Sequence, residues 1–304
     1  MRLVEREFLT TTRSTEYKLY GIGDVHIGAL NCAEKEVRQL VKKIAKDPNA
    51  RWIGGGDYCD AVILGDIKRF DVNTLPNWML DGNANTVKER IGDIVFAQRK
   101  RFVDMVMPIK DKCLGLIEGN HEYSIFKYHN RDHMGQLCAM LDTTNLSDCS
   151  FIRLKFRRKT EGSKCRGKSS SVVVFISHGH GGGRTSGAEP NKLHRLASDK
   201  DADIILTGHS HTFCILPPIA VLGMPGQAVL REDEDAVVKE KHAANWGSFV
   251  YTYKAGPSTY ASRANYPVHP MYTVETAIKP FAAKSNKGKV FDAIDIVMNE
   301  VKLG

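Results

Sequence analysis

The sequence has 304 residues, of which 42% are hydrophobic and 26% are charged, values typical of a folded globular chain, and its net charge is +8. No stretch reaches the apolar length of a membrane span, and the first residues contain no continuous apolar segment of a secretory signal. We therefore expect a single domain over 1–304 with no membrane partner, and the seven cysteines, odd in number and without CxxC spacing, predict a reduced, cytoplasmic protein.

Short apolar runs alternate with helical patterns through the first two thirds of the chain. Each run ends in glycine or another small residue, which predicts buried strands at 17–23, 51–56, 113–119, 171–177 and 202–208. One amphipathic helix is predicted to begin after Asn31, which would be its N-cap. Another is predicted from about Asn85 or Thr86 to Pro108. This alternation is typical of an α/β fold.

Two further stretches depart from this alternation. The segment 61–85 has irregular periodicity and is long for a connecting loop, so it is a candidate cap or lid. From about residue 212 the chain is β-rich, and its short aromatic runs predict antiparallel strands. Within that part the mixed-sign run at 231–241 predicts an exposed turn or a short helix.

Most of the positive charge lies in one segment. Between residues 151 and 170 there are eight basic residues and one acidic residue, so the segment carries +7. Its opening, FIRLKFR, alternates apolar and basic residues, and a strand there would place Arg153, Lys155 and Arg157 in one row. Such a row is a candidate contact for DNA or RNA; the alternative is a solvated hairpin with a charged outer face.

Each of the five predicted strands is followed by polar side chains that can bind a metal ion. The motifs are GDVH at 23–26, GDYCD at 56–60, GNHE at 119–122, SHGH at 177–180 and GHSH at 208–211. Because ligands of open α/β sheets bind beyond the carboxyl ends of strands, we expect these ends to converge on one crevice. Residues two apart in extended chain point to the same side, so Asp24 with His26, and His209 with His211, can each present two donors to one place.

The donor types favour divalent cations. Carboxylate, imidazole and amide oxygen suit Mn²⁺, Fe²⁺ or Zn²⁺, and the absence of thiolates from the motifs argues against a structural zinc site. The set exceeds what one ion needs, whereas two ions about 3.5 to 4 Å apart that share one carboxylate would use it all. Taken singly each motif is a weak signal, but five in this order are hard to obtain by chance.

The ordered set GDVH, GDYCD, GNHE, SHG and GHSH resembles the calcineurin-like metallophosphoesterases. The resemblance implies a four-layer α/β/β/α sandwich of two mixed sheets, with a dinuclear site that hydrolyses phosphate esters through a hydroxide between the ions. Mn²⁺ is expected, with Fe²⁺, Zn²⁺, Ni²⁺ or Mg²⁺ as alternatives. By motif position, one ion would be held by Asp24, His26, Asp57 and His211, and the other by Asp57, Asn120, His178 and His209. The KAGPST run at 254–259 is similar to a strand start of the same family.

The resemblance also implies roles for residues that are not ligands. His121 would face the scissile phosphate, stabilise developing charge and protonate the leaving oxygen, and Asp60 would hold its imidazole in position. Glu122 is expected to cap or orient its loop. In ISHGHGGG only His178 matches a ligand position, so we predict that His180 lies behind the ligands or on the substrate side.

These features together predict a nuclease-like enzyme that hydrolyses a phosphodiester in nucleic acid. GDVHIG resembles the opening of the DNA-repair nuclease branch of the family, and the basic segment agrees with a polyanionic substrate. A small-nucleotide or cyclic-nucleotide phosphodiesterase is the alternative, because 61–85 could close over a small substrate. A phosphoprotein phosphatase is a further alternative, but that branch has arginine and glycine where this chain has Ala61 and Val62. A non-enzymatic scaffold is disfavoured because every motif ligand is present.

Overall fold

The computed structural model describes residues 1–10, 12, 14–66, 70–158, 169–181, 185, 187–223, 237–253, 262, 268, 270–286 and 289–303. Three stretches discussed above lie outside the described residues: 159–168 of the basic segment, 231–236 of the mixed-sign run, and the KAGPST run. Among the described residues, every helix is too short or too polar to span a bilayer. The expected cytoplasmic location stays a prediction.

The described strands form two sheets. One sheet contains β2 (Tyr17–Ile22), β3 (Ala50–Gly54), β4 (Cys113–Leu116), β11 (Tyr272–Asn286) and β12 (Lys289–Lys302), in the order β12-β11-β2-β3-β4. The other contains β1 (Arg2–Thr10), β5 (Cys149–Arg158), β6 (Ser169–Ser177), β7 (Ile204–Thr207), β8 (Cys214–Ile215), β9 (Ile219–Gly223) and β10 (Val237–Asn245). Its order is β1-β5-β6-β7-β10-β8, and β9 pairs with β10. Both sheets combine parallel and antiparallel pairs.

Helices cover the outer faces of both sheets. The described helices are α1 (Glu34–Lys46), α2 (Asn77–Leu80), α3 (Ala84–Gly92), α4 (Ile94–Val106), α5 (Asn120–His129), α6 (His133–Leu141) and α7 (Ala188–Asp199), with 3₁₀ turns at Val72–Thr74 and Met107–Lys112. Apolar side chains of α1, α4, α5 and α6 pack on the five-stranded sheet. Side chains of α7 pack on the other sheet, and a third apolar cluster fills the space between the sheets. The predicted four-layer sandwich of two mixed sheets is confirmed.

The helix boundaries differ from the sequence prediction in two places. Asn31 does not cap α1: its Nδ2 donates to the Tyr251 carbonyl at 2.7 Å, and the N-cap position is Ala33. The chain continues as a loop because Cys32 forms a bridge with Val250. The second predicted helix is two helices, α3 and α4, that meet at Asp93, whose carboxylate accepts the Phe96 N–H and caps the second of them.

The C-terminal part also departs from the expectation of antiparallel strands. β8, β9, β11 and β12 are antiparallel to their partners, but β10 runs parallel to β7, with His242 opposite Ile204. The described end of the mixed-sign run, from Val237 to Lys241, is the start of β10 rather than a turn or helix. Pairing with β9 supplies the hydrogen bonds that allow a charged, exposed sequence to be a strand.

The segment 61–85 has local structure of its own. It contains the first 3₁₀ turn and α2, and its Leu75 and Met79 pack with Ile94 of α4. The Arg101 guanidinium lies 4.4 Å from the centre of the Trp78 ring and also pairs with Glu34 of α1. The described residues 70–80 are therefore anchored on α1 and α4, and the role of the segment as a lid stays a prediction.

A buried histidine joins two of the outer helices. His133, at the start of α6, is almost fully buried, and its Nδ1 accepts a hydrogen bond of 3.1 Å from the Arg99 guanidinium of α4. Burial, with a smaller effect of the Arg99 charge, lowers the pKa of His133 from 6.5 to about 3. The folded protein therefore holds this imidazole neutral at pH values at which the unfolded chain protonates it.

This difference predicts a pH dependence of stability. As the pH falls below about 6.5, the unfolded state takes up a proton that the folded state excludes, so the free energy of unfolding decreases by about 1.4 kcal/mol per pH unit from this group. In His133→Gln, which keeps an oxygen acceptor for Arg99, the decrease between pH 6 and pH 4 should be smaller by about 2.5 kcal/mol in total. Urea unfolding of both proteins at several pH values measures it, and equal slopes would contradict the prediction.

Candidate metal centre

The polar motifs meet where the carboxyl ends of strands from both sheets come together. In one sheet Ile22, Gly54 and Leu116 lie in register at the ends of β2, β3 and β4. In the other sheet Ser177 pairs with Thr207 at the ends of β6 and β7. The predicted single crevice is thus formed by two sheets rather than by one. A hydrogen bond of 2.8 Å from the His178 imidazole Nδ1 to the Gly55 carbonyl joins them.

A first group of donors contains Asp24, His26 and His211, whose ligand atoms all lie within 4.8 Å of one another. The Nε2 atoms of His26 and His211 are 3.1 Å apart, and His211 Nε2 is 3.4 Å from Asp24 Oδ1. This group contains three of the four residues that the resemblance assigns to one ion. The fourth, Asp57, has its Oδ2 3.8 Å from His26 Nε2.

A second group contains Asp57, His178 and His209, also within 4.8 Å. His178 Nε2 is 3.2 Å from Asp57 Oδ2 and 3.2 Å from His209 Nδ1. The Asn120 amide oxygen lies 3.0 Å from His178 Nε2 and 2.8 Å from His209 Nδ1. The four residues that the resemblance assigns to the other ion are therefore together.

Asp57 lies between the two groups. Its Oδ2 contacts imidazoles of both, while its Oδ1 accepts the His121 main-chain N–H at 2.9 Å. The structure brings all seven predicted ligands to one edge of the sandwich, with Asp57 in the central position. Their role as ligands, and that of Asp57 as the bridge, stays a prediction.

The backbone of these motifs has an unusual conformation. Positive φ values between 50° and 69° occur at five of the candidate ligands, which are Asp24, His26, Asp57, His209 and His211. Left-handed conformation is uncommon for residues other than glycine and tends to occur at functional sites. Asp24 with His26, and His209 with His211, are therefore placed by tight left-handed turns after the strands, not by the extended chain that the sequence suggested.

Burial and charge act together on the two carboxylates. Burial alone would raise the pKa of Asp24, but the hydrogen bond with His211 and the His178 charge hold it below the usual value. For Asp57, burial is likewise outweighed by the charges of His121, His178 and His26, and the pKa is lowered. Both groups are therefore carboxylates that attract positive charge.

The imidazoles respond in opposite directions. Burial lowers the pKa of His26, and burial together with the His178 charge lowers the pKa of His209. For His178, burial is outweighed by Asp57 and Asp24, and the pKa is raised to about 10. The lowered pKa values keep the imidazoles of His26 and His209 neutral and able to bind a divalent cation, whereas His178 would release its proton when a cation binds. The donor set thus fits the implied metal.

His121 and His180 lie at different distances from this cluster. His121 Nε2 is 3.9 Å from Asp57 Oδ2, and its Nδ1 contacts the main-chain oxygen of Asp60. The Asp60 carboxylate lies 3.7 Å from His26 Nδ1. The pairing of the Asp60 and His121 side chains therefore stays a prediction. His121 also belongs to a third donor group, with His26 and Asp57, whereas His180 is exposed and falls outside all three groups of the described residues.

The basic row lies on β5 and extends away from this edge. As predicted, Arg153, Lys155 and Arg157 lie in one row on one face of the strand, and Ile152, Leu154 and Phe156 on the other face are buried. Cys149 pairs with Ser177 at the metal edge, whereas Arg157 pairs with Ser169. At 3.4 Å per residue, the row runs from roughly 13 to 27 Å along the strand from that edge.

Acidic residues of β1 neutralise part of this row. Glu5 lies 3.4 Å from the Lys155 ammonium and 3.9 Å from the Arg153 guanidinium, and Glu7 lies 3.3 Å from Arg157. β1 was not predicted from the sequence, and it pairs with β5 in parallel. Contact of the row with nucleic acid stays a prediction.

The sequence of the chain matches one known protein family. The family described as calcineurin-like phosphoesterase has a sequence model that matches residues 17–213, a span that contains all five motifs. The chain belongs to this family. It is a metal-dependent phosphoesterase, a hydrolase whose substrate is a phosphoester and whose cofactors are divalent metal ions. Among curated proteins, none matches the chain significantly.

Three solved structures are similar to this phosphoesterase at low sequence identity. The calcineurin-like phosphoesterase YfkN from Bacillus subtilis is 13% identical, with a TM-score of 0.44 over 94% of this chain and 90% of that chain. Vacuolar Protein Sorting 29 from Cryptosporidium parvum is 14% identical, with a TM-score of 0.38 over 94% and 98% of the two chains. NAD nucleotidase from Haemophilus influenzae is 10% identical, with a TM-score of 0.39 over 95% and 50%.

Glu122 orients the loops of the phosphoesterase centre, as expected from GNHE. Its buried carboxylate accepts the main-chain N–H groups of four residues, at 2.8 to 3.2 Å, namely Asp57, Tyr58, Cys59 and Gly119. Burial and the nearby Asp57 raise the pKa of Glu122 to about 7, while the hydrogen bonds from the amides act in the opposite direction. This carboxylate ties the GDYCD loop to the first turn of α5.

Trp246 and Asn245 also support the centre, and sequence reasoning missed both. The Trp246 indole N–H donates to Asp24 Oδ2 at 2.8 Å, and its ring is so close to Gly208 that a Cβ at that position would overlap it. The Asn245 side-chain N–H₂ donates to the Gly208 carbonyl at 3.2 Å and to Ser210 Oγ at 3.0 Å. The only sequence signal is that Asn245 ends a strand, but that strand had not been predicted.

The Trp246 hydrogen bond predicts an effect on metal affinity. Trp246→Phe keeps the buried ring and removes the N–H that orients Asp24, so we expect Mn²⁺ affinity to fall by about 10- to 100-fold. Trp52→Phe is the matched control, because its indole N–H donates to the Ile109 carbonyl on the helix-covered side. Calorimetric titration with Mn²⁺ measures both, and equal effects of the two substitutions would contradict the prediction.

The two histidines of SHGH predict different metal contents. His178→Ala removes an imidazole from the second donor group, so the protein should bind one Mn²⁺ instead of two. His180→Ala removes an exposed side chain outside the donor groups and should retain both ions. Metal analysis after dialysis against Mn²⁺ gives the stoichiometry. Loss of metal from the His180 variant, or retention of both ions by the His178 variant, would overturn the assignment.

Proposed function

We propose that this phosphoesterase hydrolyses phosphodiester bonds in nucleic acid at the edge where the two sheets meet, with Mn²⁺ as the preferred metal. The observation that carries the proposal is that, in the part of the chain that the structure describes, several residues on one side of the donor cluster are exposed. Asn120 and His180 are exposed and the His211 side chain is 37% exposed, whereas Asp24 and Asp57 are buried. An open edge accepts a phosphodiester within a long chain, whereas a closed pocket would select a small nucleotide.

The contacts of the described part of 61–85 also favour nucleic acid over a small nucleotide as the substrate. Its apolar side chains pack on α4, and its Thr74 carbonyl accepts the Leu30 N–H from the loop that precedes α1. These contacts account for the segment without a role in closing over a small substrate. The net charge of +8 also favours a polyanionic substrate, although Glu5 and Glu7 offset part of the basic row. That row would contact nucleic acid distant from the scissile bond.

The chain's own residues account for substrate alignment and proton transfer in the proposed reaction. When bound, two divalent ions supply positive charge for the phosphate oxygens and lower the pKa of water. His121 lies at the start of α5 beside Asp57, partly exposed, so its imidazole can donate a proton to the leaving oxygen. The contact of its Nδ1 with the Asp60 main-chain oxygen orients the ring so that Nε2 faces the cluster.

The proposal is tested with a panel of substrates in the presence of Mn²⁺. We expect hydrolysis of bis-p-nitrophenyl phosphate, and a higher kcat/KM for DNA or RNA that decreases as the salt concentration rises. Asp57→Ala should reduce both activities by more than about 100-fold because it removes the central carboxylate. Lys42→Ala, an exposed substitution on α1, is the control.

The other substrate classes are outcomes of the same panel. A higher kcat/KM for 2′,3′-cyclic nucleotides would replace the proposal with a small-nucleotide phosphodiesterase. A higher kcat/KM for a phosphopeptide would indicate a phosphoprotein phosphatase. Failure to take up Mn²⁺ and to hydrolyse any ester would favour the non-enzymatic scaffold.

A further inference from the structure

Helix α5 exposes aromatic side chains next to the candidate metal centre. Tyr123 is 50% exposed, Phe126 is 51% exposed and Tyr128 is 69% exposed, all on one helix of 10 residues. The opposite side of the helix is buried through Glu122 and Ile125. Single exposed aromatic residues are common, whereas several on one short helix indicate a contact surface.

These side chains continue from the centre along one side of the helix. α5 begins at Asn120, whose amide oxygen contacts His178 and His209. Tyr123 is one turn further, and Phe126 and Lys127 follow at the next turn. Tyr123 and Lys127 lie on the side that faces away from the buried residues, and Phe126 lies beside them at the border of the buried side, with half of its surface exposed. Helical side chains lean toward the N-terminus, so Tyr123 leans toward the turn that holds Asn120.

We infer that Tyr123, Phe126 and Lys127, here called the aromatic face, bind unpaired bases and backbone of a single-stranded nucleic acid next to the scissile phosphate. The inference rests on the proposed function and specifies its substrate: a single strand, or the unpaired part of a duplex. Aromatic rings that stack on bases tolerate any sequence, because every base presents a flat face.

The charge of the helix surface agrees with this occupant. The Lys127 ammonium lies 5.1 Å from the centre of the Tyr128 ring and is exposed, so it can contact a phosphate. The acid of this helix, Glu122, is buried among main-chain N–H groups and does not oppose a polyanion at the surface.

Duplex DNA does not fit this surface equally well. Its bases are stacked inside the helix and present only their edges in the grooves, so exposed rings on a protein helix cannot stack on them without base extrusion. We therefore expect single-stranded oligonucleotides to be cleaved in preference to duplexes of the same sequence.

The test compares two substrates in each variant. The ratio of kcat/KM for a single-stranded oligonucleotide to kcat/KM for bis-p-nitrophenyl phosphate should fall roughly 5- to 100-fold in Tyr123→Ala and in Phe126→Ala, mainly through KM. Tyr123→Trp should restore the ratio because it restores the ring. Lys127→Ala should weaken the dependence of KM on salt concentration.

The controls separate this inference from the proposed function. Leu9→Ala removes an exposed apolar side chain at the distant end of β1, and Lys42→Ala removes an exposed charge on α1; both should leave the ratio unchanged. If the parent enzyme cleaves no nucleic acid, the proposed function fails. If the parent cleaves single strands but the aromatic variants keep the parent ratio, the role of the aromatic face is wrong while the proposed function stands. The same conclusion follows if the parent prefers duplexes to single strands. Such a face would then serve contact with another protein.

Discussion

Two carboxylates, Asp24 and Asp57, are enclosed between the ends of the two sheets, with 0% and 2% of their surfaces exposed. Removing ionised carboxylates from water is costly unless hydrogen bonds and opposite charge replace the lost hydration. The rest of this edge satisfies that requirement. Main-chain N–H groups of His209 and His121 and the Trp246 indole donate to the two carboxylates, and imidazoles surround them. The same arrangement that stabilises them in the fold makes a divalent cation a fitting partner.

Two supports hold the motif loops in place, one on each side of the cluster. Glu122 accepts main-chain N–H groups from the loop after β3 and from the residue before α5, so it ties the Asp57 turn to the turn that holds Asn120. Trp246 at the end of β10 packs on Gly208 and donates to Asp24, which fixes the GHSH turn against the GDVH turn. Left-handed turns at the candidate ligands are tolerated because these contacts determine the backbone on both sides.

The rigid centre and its exposed surroundings have separate roles in the proposed activity. Strand ends, glycine contacts and buried hydrogen bonds position the donor atoms, which is what metal-assisted hydrolysis requires. The exposed side of α5 carries the aromatic residues that we infer to bind the substrate. Family membership therefore establishes the chemistry, while the proposed substrate rests on side chains that the family motifs do not contain.

The sequence by itself determined the α/β sandwich, the five strands that end in motifs and the types of donor atom, because buried strands and motif spacing are local patterns. Only the tertiary structure decided how those ends meet. β10 is parallel to β7, which brings Trp246 to Asp24 across 222 positions, and β1 pairs with β5, which places Glu5 and Glu7 beside the basic row. Neither pairing has a local signature: β1 and β10 are partly exposed strands with mixed charges, and their positions depend on hydrogen-bonding partners far away in the chain.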